Sequence, residues 1–173
     1  MEWLEVHTFP EESKFSDASY AEEAYGYFVD ELKASVTTRA CIFATIHRES
    51  TEILMRLLDE TGLAAFVGKI NMDRNAPASL TEQHSAEETE QWLLETCDKY
   101  EAVKPILTPR FVPSCTDELL AELGRLQKVY QVPVQSHLSE NLSEIECVKQ
   151  LCPWSKYYGQ VYDRVGLFGG EAR

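Results

Sequence analysis

Apolar positions recur along this chain with two alternating periods. Tyr20, Ala21, Ala24, Tyr25, Phe28, Val29 and Leu32 fall at helical spacing, and Val36 to Phe43 follows as a β-rich run. Ser50 is a candidate cap for a second helix that carries Ile53, Leu54, Leu57 and Leu58 on one face and stops at Gly62, ahead of a strand from Ala64 to Ile70. Ser85 with Glu88 three residues on predicts a capping box for a third helix, which presents Trp92 and Leu93 inward and runs to about Lys99 before a strand from Val103 to Thr108. Ser114 or Thr116 opens a fourth helix with Leu119, Leu120, Leu123 and Leu126. A strand from Val132 to His137 and a fifth helix with Leu142, Ile145, Val148 and Leu151 complete the pattern.

Strands separated by single helices of this length form parallel βαβ units, so the fold class is α/β. The strands are apolar enough to predict cover on both faces. Consecutive units of this kind suit half of an eight-stranded barrel or a small doubly wound sheet, and periodicity does not separate the two. Irregular structure is expected from Asn75 to His84 and in the tail after Gly166, with its Gly169 and Gly170 pair.

With 173 residues, 44% of them hydrophobic, the chain suits one ordinary core. Its net charge of −13, with 16 scattered basic residues, opposes binding to nucleic acid or to an anionic membrane. No apolar run approaches the roughly 20 residues of a membrane span, and the amino terminus has no signal pattern, so the reading is cytoplasmic. The cysteines number 5, an odd set without a C-x-x-C pair, which predicts buried free thiols rather than disulfides or a cysteine zinc site.

Residues suited to chemistry fall where the strands end: His47 after the first, Asn71 and Asp73 after the second, Arg110 and Phe111 after the third, His137 and Glu140 after the fourth. In α/β folds that edge binds ligands. A strand-end histidine followed three residues later by a glutamate can supply one metal ligand and one proton carrier to a single pocket. Each also has a plain alternative. A strand-end histidine can be a satisfied polar residue, Glu140 can favour a helix dipole, Arg110 can pair with surface carboxylates in so acidic a chain, and His47 can cap the following helix. Lys69 reads as packed and paired rather than as a metal bridge.

Five words in order carry a family resemblance: Thr8-Phe9-Pro10-Glu11-Glu12, Phe43-Ala44-Thr45-Ile46-His47, Phe66-Val67-Gly68-Lys69 with Met72-Asp73, Lys104 through Phe111, and Gln135 through Asn141. Over almost its whole length the chain resembles guanine deaminases of the metal-dependent amidohydrolase superfamily. The resemblance implies strands two to five of a distorted (β/α)8 TIM-type barrel, with residues 1–173 as a partial catalytic domain lacking strand one and strands six to eight. It implies a zinc ligand at His137, a proton-carrying catalytic role for Glu140, and guanine binding by Arg110 and Phe111. Zinc would lower the pKa of a bound water for attack on guanine, giving xanthine and ammonia in a homodimeric enzyme. The family's other ligands are an H-x-H pair ending strand one, a histidine ending strand six and an aspartate ending strand eight. His137 alone matches them, and His7 is no substitute. The chain is therefore expected to be an internal fragment, inactive alone. The alternatives are a noncatalytic half barrel, or another purine or triazine deaminase of the superfamily.

Overall fold

The structure is a computed structural model and describes residues 3–168. A helical amino-terminal segment begins with a π-type turn, Leu4–Thr8, continues as α1 (Phe9–Glu12) and ends in a 3-10 turn, Ser13–Ser16. There follow α2 (Ala18–Ala34), β1 (Arg39–Phe43), α3 (Arg48–Thr61), β2 (Ala64–Gly68), β3 (Ile70–Asn71), α4 (Ser85–Thr96), β4 (Val103–Pro105), β5 (Thr108–Pro109), α5 (Asp117–Tyr130), α6 (Leu142–Leu151) and α7 (Gly159–Arg164).

The strands are all parallel, as single-helix crossovers require. One sheet has the order β1-β2-β4, with Cys41 opposite Phe66 and Phe66 opposite Lys104, and β3 pairs with β5 beyond it. The two ladders continue one another, since Ile106 N donates to Val67 O between them, and Ile70 N donates to Thr45 O on the β1 side. Residues 132–137 extend the array, as expected, but through a single bridge from Leu107 to Val134 instead of a full ladder. The register slips there: Gln135 N donates to Leu107 O, whereas His137 N, two residues later, donates to Arg110 O, three residues later. Such a bulge re-aims side chains at the end of a strand.

One sheet face holds the core. Ala65, Val67 and Val103 pack with Leu54, Leu58, Trp92, Leu93, Leu120 and Leu123 from α3, α4 and α5. Each fully buried leucine among them contributes about 1.5–3 kcal/mol relative to exposure. The opposite face is open, contrary to the expectation of cover on both sides: Cys41 and Lys104 are exposed and Phe66 is 41% exposed. Strand apolarity reports that a face is suited to burial, not what is present to bury it. A second, smaller cluster of Phe9, Ile46, Ile70, Met72 and Leu80 seats the amino-terminal segment over the carboxyl ends of the strands.

Several local expectations are corrected. α3 starts at Arg48, so Ser50 lies inside it, and its hydroxyl donates to Phe15 O instead of capping. Ser85 forms no capping box. Its hydroxyl accepts from Asn71 Nδ2 at 3.0 Å, and Thr89 Oγ1 takes the same amide at 2.6 Å. A buried amide donor is costly to leave unpaired, and that outweighs the cap. Of the two candidates for α5, Thr116 is the cap, accepting from Leu119 N. β1 begins at Arg39, leaving Val36 fully exposed. The stretch from Asn75 to His84 is pinned rather than loose: Asn75 Nδ2 donates to Pro113 O, Leu80 is buried, and Glu82 pairs with Lys69. Gly169 and Gly170 lie outside the described residues. The cysteines are free, but only Cys115 and Cys152 are buried, and Cys41 is exposed on the open face. Gly62 closes α3 in the left-handed region at φ 71°, as expected. No helix among the described residues is long and apolar enough to cross a membrane.

Candidate active site

A cavity of about 650 Å³ opens at the carboxyl ends of β1, β3 and β5, roofed by the amino-terminal segment and α2. Arg110 and His137, singled out from the sequence, both line it, together with Glu12, Tyr25, Phe43 and Thr45.

The backbone bulge delivers His137. Its Nδ1 lies 2.8 Å from the carbonyl oxygen of Arg110. A carbonyl only accepts, so Nδ1 carries the hydrogen in the neutral ring and Nε2 presents a lone pair, the arrangement a metal-binding histidine adopts. The Phe43 ring sits 4.6 Å away and limits ring rotation. The preceding residues anchor the segment on several strands. Gln135 Nε2 donates to Ile42 O at 3.0 Å and to Thr108 Oγ1 at 2.9 Å, and the Ser136 hydroxyl donates to Pro109 O at 2.7 Å. Gly68 makes the close approach of these strands possible, because a Cβ there would lie 1.7 Å from Thr108 Oγ1.

Arg110 is buried, and its charge is met by Glu12, whose carboxylate oxygens accept from Nη1 at 3.0 and 2.7 Å. The guanidinium also lies 5.3 Å from the centre of the Phe9 ring, a cation–π distance. The carboxylate alternative for Arg110 is thus realised, yet with a buried partner inside the cavity wall rather than a surface one. Burial raises the pKa of the Tyr25 hydroxyl in the same wall.

The other candidates sit apart. Phe111, in extended backbone at φ −172° and half-buried, does not line the cavity, nor does Glu140. Glu140 is exposed and follows Ser139, which takes the left-handed φ of 57°, and its amide donates to Glu144 Oε2 at 2.9 Å. His47 precedes α3, and its side chain makes no cap; the helix-opening bond is to its carbonyl, from Thr51 N. Its Nε2 is buried and has no hydrogen-bond partner among the described residues, and burial lowers its pKa. Lys69 is fully buried in an ion pair with Glu82 at 2.5 Å, and burial pushes its pKa down against the pull of that carboxylate.

The described residues contain no group of three or more His, Cys, Asp and Glu arranged to hold a metal. His7 shares the cavity wall with His137 but packs against Trp3, with ring centres 5.4 Å apart and the planes tilted by 44°. A catalytic zinc takes three protein ligands, so the residues of this chain do not make up a zinc site by themselves. His137 is suited to one position of such a site.

Sequence reasoning missed Glu12, Tyr25 and Gln135. Glu12 and Gln135 belonged to two of the matching words but carried no periodic or motif signal of their own.

A model of the amidohydrolase family matches residues 1–169. A guanine deaminase from Dictyostelium discoideum is 46% identical over 96% of this chain and 38% of its own length. Among solved structures, a guanine deaminase from C. acetobutylicum with guanine bound in its active site superposes with a TM-score of 0.96 at 50% identity, over 98% of this chain and 41% of that one. A zinc-bound adenosine deaminase from Xanthomonas campestris, 16% identical, shares the fold with a TM-score of 0.79 over 95% of this chain and 36% of its own. The chain spans about two fifths of the length of the relatives it matches. Parallel βα units with chemistry at the strand ends, and a family match along nearly the whole sequence, lead to one conclusion: the chain belongs to the amidohydrolase family.

Proposed function

We propose that this chain supplies the purine-binding half of a zinc-dependent guanine deaminase, as strands two to five of a (β/α)8 barrel. The observation that carries the reading is the pairing of Arg110 and His137 on one cavity, where the carbonyl of the arginine holds the histidine in the tautomer a metal requires. Support comes also from the guanine-bound structure that this chain matches at 50% identity.

In this reading Arg110 donates to the acceptors of the purine, and the resemblance assigns cover of the base to Phe111, which lies next to it in sequence but off the cavity wall. His137 would be one of the residues holding zinc, through Nε2, and zinc would supply an activated water there. Glu140 would take one proton from the attacking water and give it to the ring, then take the second from the hydroxyl of the resulting adduct and give it to departing ammonia; a carboxylate suits a shuttle that must accept and donate in turn. The net reaction converts guanine and water to xanthine and ammonia. By the same resemblance the complete enzyme is a cytoplasmic homodimer that acts on the free base and not on nucleic acid.

A second reading, a noncatalytic half barrel, is favoured by one observation: the open sheet face bearing Cys41, Phe66 and Lys104. The two are separated by grafting residues 3–168 into the C. acetobutylicum enzyme in place of the matching segment. A chimera that binds zinc and releases ammonia from guanine supports the deaminase reading. One that folds and binds zinc without acting on guanine overturns it.

A further inference from the structure

Glu12 uses only one end of the Arg110 guanidinium. Both of its oxygens accept from Nη1, and among the described residues Nε and Nη2 make no hydrogen bond. Those two nitrogens form the side-on edge of the guanidinium, a fixed pair of parallel donors. The edge belongs to a side chain that lines the cavity, while the opposite end is tied to α1 and the flat face lies over Phe9. A free arginine presents end-on and side-on edges by rotation; here the carboxylate has chosen between them.

We propose that Glu12 is a positioning residue that sets purine specificity through Arg110, by leaving only its side-on donor pair for the base. The inference rests on the purine-binding reading above. Two adjacent donors match two adjacent acceptors, which O6 and N7 of guanine or hypoxanthine provide. Adenine offers N7 beside an amino donor, so one of the pair meets another donor. Unsatisfied pairing of this kind discriminates strongly where the groups are desolvated. Glu12 needs no contact with the base, and its burial is explained by the charge that it neutralises.

The test uses the full chain with the arginine side chains labelled with nitrogen-15. In the wild type, Arg110 should show a protected guanidinium with slow rotation; in Glu12→Gln this signal should collapse to the fast-exchanging average. Titration with hypoxanthine and adenine should show wild type favouring hypoxanthine, with that preference falling about tenfold in Glu12→Gln, the loss of roughly one charge-assisted hydrogen bond. In an Arg110→Gln background, adding Glu12→Gln should change neither affinity further. Glu12→Asp, which keeps the charge, should recover part of the preference. An Arg110 signal unchanged by Glu12→Gln overturns the proposal whatever the chain binds, and so does a full effect of Glu12→Gln in the Arg110→Gln background. If the wild type keeps the protected guanidinium but responds to neither purine, the purine-binding reading itself falls. Should Glu12→Gln unfold, Glu12→Asp and the double variant, which leaves no unpaired charge, carry the same comparison.

Discussion

The Arg110 carbonyl accepts twice from His137, from the backbone nitrogen at 3.1 Å and from Nδ1 at 2.8 Å. One oxygen therefore sets both where the histidine stands and which nitrogen faces the cavity. Because the contact is to backbone, it survives replacement of the arginine side chain. In the chimeric enzyme, Arg110→Lys should leave zinc content unchanged and raise KM for guanine about tenfold, since the planar fork is lost and the charge is kept. His137→Ala should lose zinc and activity together. Metal analysis beside steady-state kinetics reads both, and a His137→Ala protein with full zinc and turnover would show that the ligand role is misplaced.

Glu140 has an exposed carboxylate with no hydrogen bond among the described residues, so removing its charge disturbs no internal contact. Glu140→Gln in the same chimera should keep its zinc and its thermal midpoint while kcat falls by about 10² or more. Loss of metal, or a kcat within a factor of about three of the parent, is the outcome against a proton-carrying role.

Among the described residues the chain has no group of three or more ligands that could hold a metal, and a catalytic zinc needs three. Purified from zinc-supplemented medium and passed over a desalting column, it should hold well under one zinc per chain and release no ammonia from guanine. Stoichiometric zinc by elemental analysis, with turnover abolished by a chelator, would overturn this expectation.

The open sheet face and the outer edge of β1, which pairs with no strand among the described residues, should drive self-association. Analytical ultracentrifugation of the isolated chain is expected to show concentration-dependent oligomers. Phe66→Glu should shift them toward monomer, because its side chain stands on the exposed face and leaves the helix-covered core intact. A monodisperse wild-type monomer across the concentration range counts against an adhesive face.

The α/β class, the sequence of βα units and the leucine-bearing faces of α3 and α5 were legible in the sequence, because a period of apolar residues records which side of an element is buried. Arg110 and His137 were legible for a related reason: each ends an apolar run, and strand ends gather at one edge of a parallel sheet. Local signals misled where a distant partner competed for the same group. Ser50 and Ser85 have the look of helix caps, yet Phe15 O and Asn71 claim their hydroxyls.

By itself, then, the sequence determined helices α2 to α6 and the strands between them, their order and the edge where chemistry collects, since these follow from spacing along the chain and from side-chain type; it gave no sign of the amino-terminal helical segment or of α7. Only the tertiary structure decided that Glu12 clamps Arg110, 98 residues away, that the Arg110 carbonyl orients His137, and that one face of the sheet stands open. Such relations depend on which groups meet after the chain closes on itself. A carboxylate 98 residues from an arginine carries no local mark of its partner, because the stabilisation exists only once both are withdrawn from water together.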